Sequence, residues 1–433
     1  MTGTCVLVSP HFPPSTLAGV HRARHLAKHL PAAGWTPTVI CVDESFHEER
    51  LDPGLSALVP DSLEIVRARA ISARWTRPIG LGDISIRALP SIRRELHRIF
   101  AERPVDVCFI TGSPYYQMVL SGEIARRFGV PVVLDFQDPW VSAWGAAQPR
   151  LSKSGLSHAL AVALEPTALR GATHITTVSE IQNAQLRQRY PWLDERRMSA
   201  HPIGADPEDF AALGGAPLGA ANLVLDRSKI NLSYVGNVWP GAMQPLRVFL
   251  EAVKRLALSR PDLTSRLQIN FVGTSNQPNE FERLSVMPAA KAAGVETLVR
   301  EIPQRVPYLE ALSVLKSSDG LLMIGSNEPH YTASKIYPNL MSGRPYLSLF
   351  HRDSSAHAIL EAAGGGVALA FSTLDELEAL QVAIRDGLER LLERPESLGR
   401  PDEAAYRPYE AASIARQYGE IFDRLKAERG RAA

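Results

Sequence analysis

Short apolar runs alternate with amphipathic stretches along this chain in two successive series, and no other feature limits its fold as strongly. Cys5–Ser9 reads as a strand. The loop Pro10–Gly19 carries Pro10, Pro13 and Pro14 and cannot be helical, because proline lacks the N–H that a helix needs. Val20–Leu30 places Ala23, Leu26, Ala27 and Leu30 on one helical face, and Thr38–Val42 is the next strand. Short strands with helices between them belong to a parallel sheet covered on both faces. The pattern continues through strands at Val105–Ile110, Pro131–Phe136, His174–Val178 and Met198–Ile203, with helices at Tyr116–Phe128 and Ile181–Tyr190. Residues 44–90 break the rhythm and read as an excursion over the sheet's rim.

The second series has strands at Ile230–Val235, Leu267–Val272, Gly320–Ile324, Pro345–Phe350 and Val367–Ala370. Helices are predicted at Pro245–Leu258, Val306–Ser317, Ser334–Met341, Ser355–Ala363, Thr373–Leu392 and Ala411–Arg429. The expectation is an α/β chain of two doubly wound Rossmann-like domains, 1–210 and 229–405. Between them lies a link at 211–228, rich in Ala, Gly and Leu, and the C-terminal segment 406–433 packs back on the first domain. A length of 433 residues suits two domains of about 200 each. Ligands of such sheets sit beyond the C-terminal strand ends, and two such domains are expected to face a central cleft.

The formal net charge of +1 gives no support to nucleic-acid binding through a basic surface. No apolar run approaches the roughly 18–20 residues that span a bilayer, and the N-terminus has no leader pattern. A cytoplasmic location is expected, with peripheral contact at the inner face of a membrane left open. Cys5, Cys41 and Cys108 fit no zinc spacing and are expected to be buried, reduced thiols. His21, His25 and His29 have helical spacing, but Arg22, Arg24 and Lys28 crowd the same face, so no metal is expected there.

A dinucleotide-binding dehydrogenase would need Gly-x-Gly-x-x-Gly after a strand, and neither series has it. A P-loop is also absent, since no Gly-Lys-Ser/Thr occurs. The residues instead resemble bacterial family-4-type glycosyltransferases of the GT-B fold. The resemblance is carried by Pro10-His11-Phe12-Pro13-Pro14 with Ala18-Gly19-Val20-His21-Arg22, and by Leu134-Asp135-Phe136-Gln137-Asp138-Pro139-Trp140. It continues in Pro202-Ile203-Gly204-Ala205-Asp206, Tyr234-Val235-Gly236-Asn237 and Ser334-Lys335-Ile336-Tyr337-Pro338-Asn339-Leu340-Met341-Ser342-Gly343-Arg344-Pro345. These matches keep the family's order along nearly the whole chain.

The resemblance implies transfer of a sugar from a nucleotide-sugar, UDP- or GDP-linked, to a hydroxyl on a sugar, lipid-linked or small-molecule acceptor. It implies retention, no resident cofactor and no metal, so dipoles and cations must stabilise the leaving diphosphate. Gly19 lets backbone approach a ligand at the start of a helix, whose free N–H groups suit an anion. Ser334 suits an N-cap, and Lys335 adds a full charge beside it. Gly236, Asn237, Gly273 and Ile302 fall at strand ends on the donor side. The family's Glu-x7-Glu pattern is divergent: His330 and Pro338 stand at the two Glu positions, and Glu328 is a near substitute. Tyr337 or Asn339 would then hold the ribose. Two cations usual after the first glycine of this domain are missing, which leaves Lys335, Arg22 or Arg305 to compensate.

Asp138, at the end of a strand, is the expected polar group at the reacting sugar, with His330 and Glu328 as further catalytic candidates. His11, Arg22, Tyr115 and Tyr116 are assigned to the acceptor. The product would enter surface polysaccharide, glycolipid or natural-product assembly. The departures keep three alternatives open: a pseudo-glycosyltransferase, a sugar-nucleotide epimerase, and a non-catalytic GT-B binding subunit.

Overall fold

The computed structural model describes residues 3–17, 19–214, 219–275, 284–327 and 334–432. It divides into two compact units, 1–203 with 411–433, and 204–410.

The first unit is built on seven parallel strands: β1 (Gly3–Val8), β2 (Trp35–Val42), β3 (Glu64–Ala68), β4 (Val107–Thr111), β5 (Val132–Phe136), β6 (His174–Thr177) and β7 (Met198–Ala200). Their spatial order is β3-β2-β1-β4-β5-β6-β7, so the winding reverses between β1 and β4. Val6 is in register with Thr38 on one side and Cys108 on the other. Side chains alternate between the two faces. Val6, Val8, Ile40 and Ile110 pack with Ile92 and Leu96 of the helix Ile84–Glu102. Cys5, Leu7, Val39 and Phe109 pack with Ile414, Tyr418 and Phe422 of the helix Ala411–Ala432. Each fully buried apolar side chain contributes about 1.5–3 kcal/mol.

Residues 44–90 are more regular than their sequence suggests. Glu64–Ala68 forms β3 on the sheet edge. Asp83 caps the helix Ile84–Glu102, accepting from the Ser85 and Ile86 N–H groups at 2.8 and 3.3 Å. That helix continues through Pro90, and a second unanticipated helix, Lys153–Gly171, continues through Pro166. Tertiary packing overrides proline's local penalty in both.

The second unit has six parallel strands: β8 (Ile230–Val235), β9 (Leu267–Val272), β10 (Val299–Ile302), β11 (Gly320–Ile324), β12 (Tyr346–His351) and β13 (Gly366–Phe371). Their order is β10-β9-β8-β11-β12-β13, with the reversal between β8 and β11. The expected link at 211–228 is corrected for its described part. Ala221 and Val224 of the helix Gly219–Val224 are buried against Val272 and Val314, so this segment belongs to the second unit's packing. Phe210 and Leu213 likewise join the cluster of Leu312, Ile336 and Leu340.

Candidate functional site

Doubly wound sheets bind ligands at the carboxyl ends of strands beside the point of reversal. In the second unit that point lies between β8 and β11. Gly236 follows β8 with φ +150° and donates its N–H to the Val272 carbonyl at 2.8 Å. The Lys335 side chain crosses directly over it. A Cβ at Gly236 would come within 2.9 Å of Lys335 Cδ and 3.0 Å of Cε, and closer still to Nζ. Lys335 keeps solvent-exposed surface. Protein crowded around the ammonium still lowers its pKa to about 8, desolvation acting first and the positive charge of Arg305 second. Desolvation also lowers Arg305 from its usual value. Among the described residues no carboxylate pairs with Lys335. Two neighbouring cations held partly dehydrated at strand ends form a natural seat for an anion.

The surrounding assignments divide. Gly273 has φ +73° and donates to the Ile302 carbonyl at 2.8 Å, so Gly273 and Ile302 bring the ends of β9 and β10 together. The Asn237 carbonyl accepts from the Tyr234 hydroxyl at 2.9 Å. Ser334 is not the helix cap: the helix is Ile336–Met341, its N-cap is Lys335, and no side chain caps it. Tyr337 and Asn339 face the core, 0% and 4% exposed. The Tyr337 ring lies against Tyr409, and Asn339 Nδ2 donates to the Lys335 carbonyl at 2.7 Å. Their assignment to the ribose is therefore corrected: they position the backbone beneath Lys335. Glu328 and His330 lie outside the described residues.

In the first unit the reversal brings together the loops after β1, β4 and β5. Gly19 precedes the helix Val20–His29, and a Cβ there would lie 2.8 Å from the Ser113 carbonyl oxygen. Gln137 Nε2 bonds Thr111 Oγ1 at 2.6 Å and the Gly19 carbonyl at 3.4 Å. Gly19 is thus required for close packing of the three loops. The Val20 N–H is taken by the Leu17 carbonyl at 3.1 Å.

Asp138 follows β5 and keeps an exposed face, while desolvation raises its carboxyl above the usual range. Its backbone carbonyl accepts from the Tyr115 hydroxyl at 2.9 Å. The Tyr115 ring stacks on Trp140 with centroids 5.5 Å apart and planes 10° from parallel. Tyr115 is half-buried, so part of this aromatic surface beside Asp138 is accessible. Tyr116 is corrected from acceptor contact to core packing: it is 8% exposed, its ring meets Trp140 edge-on, and its N–H bonds Ser85 Oγ at 3.3 Å.

Arg22 is likewise corrected. It is 1% exposed and its guanidinium points inward. Nε lies 3.3 Å from Asp135 Oδ2, Nη1 bonds the Pro202 carbonyl at 2.9 Å, and Nη2 bonds the His201 carbonyl. Asp135 also accepts from Thr111 at 3.2 Å, Thr176 at 2.9 Å and the Tyr418 hydroxyl at 2.8 Å. This buried, multiply bonded pair joins the helix Val20–His29, three strands and the C-terminal helix, which is a positioning role.

His11 is buried among Ser15, His47 and Glu49 rather than presented to an acceptor. Sequence reading missed His47 and Glu49, whose only signal was their near-adjacency in a loop following a strand. On the helix Val20–His29, Arg24 Nη2 lies 2.9 Å from His25 Nε2 and 3.4 Å from His21 Nδ1, so a guanidinium occupies the face where a cation would bind. Cys5, Cys41 and Cys108 are free and buried. No helix among the described residues is long and apolar enough to cross a membrane.

Residues 18–204 match the family described as Glycosyl transferase 4-like domain. Among solved structures, the chain is similar to HepE of Anabaena in complex with UDP and glucose. The two are 13% identical with a TM-score of 0.63, covering 97% of this chain and 99% of that one. It is similar to a glycosyltransferase from Rickettsia africae, 14% identical with a TM-score of 0.58 over 98% of both chains. It is also similar to an α,α-trehalose-phosphate synthase (UDP-forming) from Burkholderia vietnamiensis. Here identity is 11% and the TM-score 0.60, covering 99% of this chain and 100% of that one. No curated protein sequence matches. The fold is GT-B, with two Rossmann-like units, in agreement with the family-4-like resemblance of the sequence.

Proposed function

We propose that this GT-B chain, with its glycosyl transferase 4-like domain at 18–204, moves a sugar from a nucleotide-sugar to a hydroxyl acceptor. The observation that carries the reading is the Lys335 ammonium laid over Gly236 with the charge of Arg305 beside it. Expelling a diphosphate concentrates negative charge on its oxygens, and fixed, partly dehydrated cations stabilise that charge more than water does. Gly236, Asn237, Gly273 and Ile302 form the strand-end floor of this donor site. UDP is the favoured carrier, because Anabaena HepE binds it and the Burkholderia enzyme forms it; GDP remains the comparison. The reaction proceeds with retention, with no resident cofactor and no metal at the diphosphate, as the family resemblance implies.

On the first unit Asp138 is the polar group assigned to the reacting sugar, and the Tyr115–Trp140 stack is the acceptor platform. The acceptor belongs to surface polysaccharide, glycolipid or natural-product assembly. The inward-facing Tyr337 and Asn339, with Pro338 between them, supply no carboxylate for the ribose. That observation favours changed chemistry or a binding-only role as the second reading. Calorimetric titration with UDP and GDP, followed by UDP-sugar turnover, separates the two. Binding lost in Lys335→Ala together with turnover supports transfer. Binding without turnover selects the second reading, and no nucleotide binding at all overturns both.

A further inference from the structure

The loops after β1 and β2 are laced together in the first unit. Val42 N–H bonds the Pro10 carbonyl at 3.1 Å, Asp52 N–H bonds Pro14 at 2.8 Å, and Thr16 Oγ1 bonds the Arg50 carbonyl at 2.8 Å. Between these ties His11, His47 and Glu49 converge, with side chains 8%, 2% and 15% exposed. Glu49 Oε1 lies 2.9 Å from His47 Nδ1 and 3.2 Å from His11 Nδ1. Ser15 Oγ is 3.3 Å from His11 Nδ1 and 2.5 Å from Glu49 Oε1.

Counting donors shows what the cluster lacks. His47 Nε2 is 3.2 Å from the Val42 carbonyl, which only accepts, so that nitrogen carries the proton. In the neutral ring Nδ1 turns its lone pair toward Glu49 Oε1, so either a second proton on Nδ1 or a bound cation must hold the two together. Two acceptors in contact need positive charge between or beside them. A divalent cation supplies it and uses the His11 nitrogen as well. Four ligands at about 2.0–2.1 Å from zinc stand roughly 3.3 Å apart, close to the spacings seen here. The ligand atoms all lie within 4.8 Å of one another. A ring N–H given to a backbone carbonyl is also the usual way a metal-binding histidine is held in its tautomer.

We propose that His11 Nδ1, His47 Nδ1 and the Glu49 carboxylate bind one divalent transition cation of the zinc class. A water or Ser15 Oγ completes the coordination. Two imidazoles and one carboxylate suit zinc and disfavour magnesium, which prefers an all-oxygen shell. The cation staples the loop leading to Gly19 onto the loop after β2. Its binding does not depend on the transfer reaction.

The test uses the full chain without an affinity tag, stripped with a chelator and titrated with Zn²⁺ alone against a chromophoric competitor. One Zn²⁺ per chain is expected, with a rise in thermal midpoint that Mg²⁺ does not reproduce. His47→Gln and Glu49→Gln should each weaken binding by at least about tenfold. Should those variants fail to fold, Co²⁺ added to the natural chain decides, since a four-coordinate site gives visible bands far stronger than those of the hydrated ion. Absence of stoichiometric binding, or Zn²⁺ affinity unchanged in both folded variants, overturns the proposal. The cluster would then be a protonated histidine–carboxylate pair, or the metal would sit elsewhere.

Discussion

Lys335 passes over the bare Cα of Gly236, and no other residue could occupy position 236 without moving it. Gly236→Ala adds a Cβ within 3.0 Å of the lysine's Cε and 2.9 Å of its Cδ, at a φ of +150° that side chains rarely adopt. The strain alone should cost more than about 1 kcal/mol of stability. The displaced ammonium should weaken UDP binding by at least about tenfold, or about 1.4 kcal/mol. Calorimetry on the folded variant checks this; unchanged affinity would detach Lys335 from the donor site.

The lowered pKa of Lys335 predicts a pH dependence for the proposed UDP binding. The ammonium is charged below about 8 and loses its proton above it. Affinity for a nucleoside diphosphate should therefore fall as pH rises through 8, and Lys335→Met should flatten that fall. Folding without ligand has the opposite slope. Between about 8 and the ordinary lysine value of 10.5 the unfolded chain holds a proton that the folded chain does not, so stability rises with pH across that window. Subtracting the Lys335→Met profile from the natural one isolates this contribution in chemical denaturation.

The strand pattern was legible because parallel strands buried on both faces are continuous apolar runs, as in Val132–Phe136 and Gly320–Ile324. β3 was not, since its burial is partial on an edge and Glu64 and Arg67 interrupt it. The helix Ile84–Glu102 was hidden by Pro90, whose local signal opposes a helix that packing enforces. For the site, sequence order located Gly236 at a strand end and Lys335 at a helix start but carried no information on their contact. Arg22 was misread for the same reason. Its partners Asp135, His201 and Tyr418 are far away along the chain, so a basic residue near a glycine looked like a ligand contact.

The Arg22–Asp135 pair sets up a stability prediction. Asp135→Ala leaves a buried guanidinium without its carboxylate and frees the Thr111, Thr176 and Tyr418 hydroxyls. Breaking one side of a buried pair costs about 3–5 kcal/mol. Urea unfolding should show a loss of that size. The double change Arg22→Met with Asp135→Leu should recover part of it, because no unpaired charge remains. Equal losses in the single and double variants would show that the hydroxyl network, rather than the ion pair, carries the stability.

Asp138 offers the sharpest test of the chemistry. It is exposed after β5, and its carbonyl is held by Tyr115, which is in turn stacked on Trp140. The carboxyl itself is therefore positioned without being spent on an internal bond among the described residues. A positioned acid or base contributes about 10²–10⁴-fold to rate. Asp138→Asn should lower kcat within that range while UDP affinity, assigned by the proposal to the second unit, stays within about twofold. Desolvation raises the Asp138 pKa, so a rate that needs the ionised form should begin to fall above the ordinary carboxylate range as the solution is acidified. The variant should lack that limb. Steady-state rates across pH, with UDP binding measured in parallel, decide the matter. A variant with full kcat would remove Asp138 from the reaction and leave it as a turn residue after β5.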